Sequence, residues 1–230
     1  MIPPEWLHPA DFATAKVAQL ALAARVERQD RLGPVRRIGG VDISSTRFDA
    51  ERRVYAAVVV LEWPGLRLVA SAGAMQRTHL PYVPGYLGFR EVPALLEAWA
   101  QLTQKPDLVL VDGHGVAHPR GFGVASHLGV ALDVPTIGCA KSLLVGRLDG
   151  TLGEAPGAAA ALVWQGATLG TALRTRARSG PIFVSSGHRI SLASAVEWVR
   201  RCGTGHRLPA PTRQAHLAAG ALRRQMLAEG

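Results

Sequence analysis

The chain has 230 residues, 48% of them hydrophobic, with a mean hydropathy of +0.13, which suits one globular domain spanning 1–230 with a sizeable core. Its 26 basic and 17 acidic residues leave a formal charge of +9 and a pI near 10.7, which favours a polyanionic partner, although an Arg- and Ala-rich composition also raises basicity by itself. No apolar run approaches the roughly 20 residues of a membrane span, the start lacks the basic-then-apolar pattern of a signal peptide, and a zinc site built on the two isolated cysteines, Cys139 and Cys202, is disfavoured. A soluble, cytoplasmic protein with two reduced thiols is the expectation.

In chain order, residues 9–28 predict a first helix, preceded by Pro9 and capped by Asp11. Strands are predicted at 38–48, with Asp42 inside, at 54–63 and at 67–75. Short turns join these three strands, which argues an antiparallel meander. A Pro/Gly-rich loop covers 78–91, and 92–102 has helical apolar spacing, with Leu95, Leu96 and Trp99 near one face. A strand at 107–112 ends on Asp112, a helix follows at 123–132 and a strand at 134–142. Alternation of strand and helix there implies parallel pairing. A hairpin at 158–175, a strand at 181–190, a helix at 191–202 capped by Ser191 and a terminal helix at 212–230 complete the chain. The expected fold is α/β: a mixed sheet, antiparallel meander first and parallel strands after, flanked by helices. That order is also the order of the ribonuclease H-like fold.

The acids carry the chemistry. Asp112 closes an apolar strand and is followed at once by Gly113 and His114. A carboxylate there is costly unless a cation meets it. If its strand lies beside that of Asp42 the two carboxylates face each other, and each then needs a positive partner. Mg²⁺ prefers such oxygen ligands. The competing reading of each acid is a satisfied turn or cap residue. Glu91 follows the Pro/Gly loop and is either a third acid projected at the sheet or a helix-dipole acid.

Among the other polar groups, His114 and His118 flank Gly115 but are not set up as a zinc pair. His118 is a candidate phosphate or base contact, or a surface-loop histidine. His216 lies on the first turns of the last helix, one turn from Arg213, where a solvated face is the plain alternative. Lys141 follows an apolar strand and either reaches the surface or meets an anion.

Five segments occur in order: IGGVDISS, PYVPGYLGFREVP, DLVLVDGHGVAHPRGFGVASHLG, PTIGCAKSLL and SSGHRISL. Together they resemble the endonuclease V family, the deoxyinosine-directed repair nucleases, from about Gly39 to His216. The resemblance implies a ribonuclease H-like fold and a DNA repair endonuclease that uses Mg²⁺, with Mn²⁺ as a substitute. It implies hydrolysis of the second phosphodiester bond 3′ to hypoxanthine, leaving 3′-hydroxyl and 5′-phosphate ends. The family's acids fall on Asp42, Glu91 and Asp112, with Asp42 and Asp112 on the metal and Glu91 assisting; its catalytic histidine falls on His216. Lys141 and His118 match positions near phosphate and lesion. The wedge falls on PYVP, Pro81 to Pro84, with Tyr82 against the bases, and the base pocket on Gly85, Leu87, Gly113, Gly115 and Leu144. The expected partner is deoxyinosine-containing DNA, single strands or inosine-containing RNA also being open, with the protein a monomer and no membrane involved. Two alternatives stand beside this reading: an inosine-specific ribonuclease, and a lesion-binding module without catalysis.

Overall fold

The computed structural model describes residues 2–45 and 49–229. Strands β1 (Arg37–Ser45), β2 (Arg53–Glu62) and β3 (Arg67–Arg77) form the expected antiparallel meander. Residues 46–48, the end of the first predicted strand, lie outside the described residues. Next come α3 (Gly88–Ala100), β4 (Leu108–Val111), α4 (Val124–Leu132) and β5 (Thr136–Ala140), with β4 parallel to both β1 and β5. Strands β6 (Arg147–Asp149), β7 (Ala159–Trp164), β8 (Ala167–Leu173) and β9 (Ile182–His188) extend the sheet as an antiparallel ribbon. Among the described residues, nine strands lie in the order β3-β2-β1-β4-β5-β9-β8-β7-β6. Helices α1 (Pro4–Leu7) and α2 (Phe12–Ala23) precede the sheet, and α5 (Leu192–Arg201) and α6 (Ala210–Ala228) follow it.

Both faces of the central strands are covered, which explains their nearly unbroken apolar sequences. Val41, Val109 and Val111 pack with Val92, Leu95 and Leu128 of α3 and α4. The alternate positions Ile38, Leu108 and Leu110 pack with Ala195 and Val199 of α5. On the same side as α5, Val59 and Leu61 of β2 meet Ala210 and Ala215 of α6.

Boundaries differ from the sequence expectation where side chains intervene. Helix α2 begins after Asp11, whose side chain accepts from Thr14 N as expected, but stops at Ala23 rather than 28. Beyond it, the Glu27 amide donates to His188 Nδ1 instead of a helical carbonyl. Helix α3 begins at Gly88, a turn before the predicted 92, so Pro93 lies inside it and Glu91 in its first turn. Proline's preference for a helix start misplaces that boundary in the sequence. Strand β6, three residues long, is too short to show alternation and was not predicted. Among the described residues, no helix is long and apolar enough to cross a membrane.

Cys139 and Cys202 are free and buried. Burial pushes the Cys139 thiol well up and the Cys202 thiol up to about 12. Since the thiolate is the reactive form, an aromatic disulfide reagent should label neither thiol in the native protein and both after denaturation. Fast labelling of the native state would contradict this packing.

Candidate active site

The site begins with strand register. Val41 lies beside Val111 in the parallel pair, so the next residues, Asp42 and Asp112, are neighbours on adjacent strands. The Asp112 amide donates to Val41 O at 3.0 Å, which carries the pairing one residue past β4. Adjacent strands are about 4.8 Å apart, so the carboxylates share one place on the sheet.

The third member arrives from the far end of the chain because Gly40 has no side chain. A Cβ on Gly40 would lie 2.0 Å from Pro211 O, so α6 starts in direct contact with β1. Residue 216 then falls over residue 42, and His216 Nδ1 donates to Asp42 Oδ2 at 2.7 Å. Asp42, Asp112 and His216 each offer a ligand atom, all within 4.8 Å of one another, an arrangement able to hold a metal ion. Lys141 Nζ lies 2.6 Å from Asp112 Oδ2, a charge contact whose alignment falls short of a hydrogen bond. That buried oxygen has no hydrogen-bond partner among the described residues. An unsatisfied carboxylate oxygen within a set of two carboxylates and an imidazole fits a hard divalent cation.

Glu91 lines the cavity beside these groups but stands outside the 4.8 Å cluster. Burial, then the Asp42 charge, pushes its carboxyl up to about 8, against the pull of Arg90. Burial and the Asp112 charge also raise Asp42, against the hydrogen bond from His216. The carboxylates thus sit where their charges are costly unless a cation is close.

Asp112 and Glu91 open into a cavity of about 290 Å³. Of the expected substrate-binding residues, Tyr82, Pro84, Gly85, Leu87, Gly113, His118 and Leu144 all line it. Gly115 does not: it lies behind the wall, where a Cβ would meet Ser186 O at 2.0 Å, and its amide donates to Ser185 Oγ at 3.0 Å. Its lack of a side chain serves packing on β9. His118, expected as a phosphate or base contact, lines the cavity with both ring nitrogens engaged. That ring is buried, donates from Nε2 to Gly85 O at 3.1 Å and accepts at Nδ1 from Arg120 N at 3.1 Å. Burial and the Arg120 charge lower its pKa to about 4, so it is a neutral strut in the wall.

Tyr82, in the cavity lining, is 40% exposed. The buried Arg90 guanidinium bonds Leu80 O and lies 5.9 Å from the Tyr82 ring centre. Sequence reasoning did not select Arg90, nor the lining residues Phe122, Val124, Ser142 and Leu143. The ring nitrogen Nε2 of His114 donates to Ser142 O at 2.9 Å and ties the loop after β4 to the segment after β5.

Topology and paired acids at the sheet centre are those of a ribonuclease H-like nuclease. The chain belongs to the Endonuclease V family, hydrolases of phosphodiester bonds, whose sequence model it matches over residues 20–217. It is 53% identical over 220 residues to Endonuclease V of Rhodospirillum centenum, covering 96% of this chain and 92% of that one. The crystal structure of Endonuclease V from Streptomyces avermitilis aligns over 98% of both chains with a TM-score of 0.89 and 38% identity. Endonuclease V of Ciona intestinalis, in complex with a 24mer DNA containing an inosine followed by a ribo-adenosine, aligns over 94% of this chain and 98% of that one, with a TM-score of 0.80 and 27% identity.

Two predictions follow from this geometry. Gly40→Ala should push α6 off β1 and separate His216 from Asp42. Nuclease activity should then fall on the order of 100-fold, with overpacking lowering stability by about 1–3 kcal/mol; wild-type turnover in this variant would show that the contact does not set the site. The second concerns pH. With pKa values raised above those of the unfolded chain, about 4, Asp42 and Glu91 hold protons in the folded state that the unfolded state has released. Stability of the metal-free protein should therefore be greatest below pH 4 as far as these groups are concerned, and decline toward pH 8. Thermal melts in a chelator should show that decline, and the rise in Tm on adding Mg²⁺ should be larger at pH 8 than at pH 5. Equal rises at both values would mean that the acids do not hold the ion.

Proposed function

We propose that the protein is a DNA repair endonuclease that takes a hypoxanthine base into the 290 Å³ cavity and cuts the same strand, with Mg²⁺ as cofactor and Mn²⁺ as substitute. The observation that carries this reading is that one residue, Asp112, belongs both to the acidic cluster and to the cavity wall. Recognition and hydrolysis are thereby joined over a few ångströms. The continuous sheet from β1 to β9 supports reading the chain as one catalytic domain.

The cavity is at the small end of ligand pockets and has room for a single base. Hypoxanthine presents acceptors at O6 and N7 and a donor at N1, and main-chain groups around Gly85 and Gly113 suit them because no side chain stands between. Tyr82, stiffened by Pro81 and Pro84, fills the place in the stack that the base leaves. An inosine pair is weak, which lowers the cost of unstacking it.

Asp42 and Asp112 would hold the cation, with Glu91 assisting from the first turn of α3. A divalent ion so bound supplies positive charge to the phosphate and makes water more acidic. His216, donating from Nδ1 to Asp42, keeps Nε2 as a proton acceptor facing the attacking water. Lys141 places its ammonium next to Asp112, where negative charge develops on the phosphate. Water adds to phosphorus, and the 3′-oxygen leaves and gains a proton. The products are a 3′-hydroxyl and a 5′-phosphate at the second bond 3′ to the lesion.

A ribonuclease reading has one observation in its favour: the Ciona relative was crystallised with a ribonucleotide after the inosine. Paired DNA and RNA strands with one inosine, incubated with Mg²⁺ or Mn²⁺, decide between them by which is cut and where. Retention of Asp42, Glu91 and Asp112 speaks against a module that binds without cutting. Asp112→Asn should abolish cleavage, leave the melting profile cooperative and reduce binding to an inosine strand less than tenfold, because most of the cavity wall comes from other residues. Cleavage near the wild-type rate in this variant would remove Asp112 from the mechanism.

A further inference from the structure

Helix α2 lies outside every motif that carries the family resemblance, and the family match begins at residue 20, one past Gln19. Gln19 is nevertheless 2% exposed, and a buried amide needs partners. Its Nε2 donates to Gly85 O at 3.0 Å and to Phe122 O at 3.0 Å. Its Oε1 accepts from Arg120 Nε. Gly85 and Phe122 both line the cavity, and they come from segments far apart in sequence. One side chain thus joins the loop that carries Tyr82 to the loop that follows β4.

The Gly85 carbonyl is held from three sides. Gln19 donates to it, Arg120 Nη2 donates at 2.7 Å and His118 Nε2 at 3.1 Å. Arg120 also lies over the Tyr86 ring at 4.4 Å, which extends the same clamp to the next residue. Gly85 itself has φ +86, a conformation that other residues adopt only under strain, so this bend in the wall is defined by backbone and clamp together. A carbonyl has two lone pairs, so Gly85 O is fully occupied and its orientation leaves little freedom.

We infer that Gln19 is a positioning residue for lesion recognition: its amide fixes the spacing of the two cavity walls and the base of the Tyr82 loop. Its hydrogen bonds go to Gly85, Phe122 and Arg120 and to none of Asp42, Glu91, Asp112 or His216, so it acts on binding of the flipped base and not on hydrolysis. The inference rests on the proposed base-binding role of the cavity.

The test uses the full chain carrying Gln19→Met, which keeps the volume and removes both donors, and Gln19→Glu, which keeps the acceptor for Arg120 and places a carboxylate oxygen against two carbonyls. Loss of these buried hydrogen bonds, all three in Gln19→Met and the two donated ones in Gln19→Glu, predicts a roughly tenfold rise in KM for an inosine-containing strand. The kcat and the Mn²⁺ concentration giving half-maximal rate should stay within about twofold, the signature of lost binding without lost chemistry. Backbone hydrogen exchange should speed up at 82–87 and 118–123 and not in β1 or β4. Should Gln19→Met not fold, Arg120→Lys, which loses the planar fork, carries the same expectations. A fall in kcat at constant KM, or exchange unchanged at both loops, overturns the inference. If the wild-type protein leaves inosine strands intact, the proposed function fails, and the exchange measurement still decides whether Gln19 holds the walls.

Discussion

Two carboxylates forced together at the centre of a sheet are the constraint around which this molecule is organised. Register, not side-chain preference, puts them there: Val41 pairs with Val111, and both strands place an aspartate next. Like charges so close in a poorly solvated place are unfavourable. The fold answers with an imidazole from α6 and an ammonium from the segment after β5. The ammonium compensates the charge on Asp112 Oδ2 from 2.6 Å but leaves that buried oxygen without an aligned hydrogen bond. The repulsion that destabilises the empty arrangement is the same property that makes it attractive to a divalent ion.

Close backbone contact solves the assembly problem. At Gly40 the absence of a side chain lets α6 rest on β1, and at Gly88 it lets α3 start against His127, whose Nδ1 lies 2.8 Å from where a Cβ would be. Both contacts aim a chemical group: His216 in the first case, Glu91 in the second. Gly85 and Gly113 differ from these: they line the cavity, where no side chain covers the main chain. Glycines that read alike in the sequence therefore divide into those that admit another element and those that form the cavity wall.

Much of this was legible in the sequence. Among the described residues, sequence patterns located eight of the nine strands and five of the six helices, the four-residue α1 being too short to show a period. Asp42 and Asp112 stood out because acids in such runs demand an explanation. Glu91 was less clear, since Pro93 suggested a later helix start than the Gly88–His127 contact permits. Gly115 matched a motif position, yet it lies behind the cavity wall and packs on β9, and motif position alone does not separate a residue lining the cavity from one facing the core. Gln19 gave no signal, because a single amide within an Ala- and Leu-rich helix looks like any exposed glutamine until burial is known.

The ion cluster draws on residues 42, 112 and 216, with the last supplied by a helix that begins only at Ala210. During synthesis, the strands bearing both aspartates and the loops that form the cavity emerge well before that helix does. A nascent chain therefore passes through a stage in which both aspartates have left the ribosome and the histidine has not. The cluster of two carboxylates and an imidazole closes only once residue 216 has emerged, so its capacity to hold an ion is gained after the strands that carry the acids.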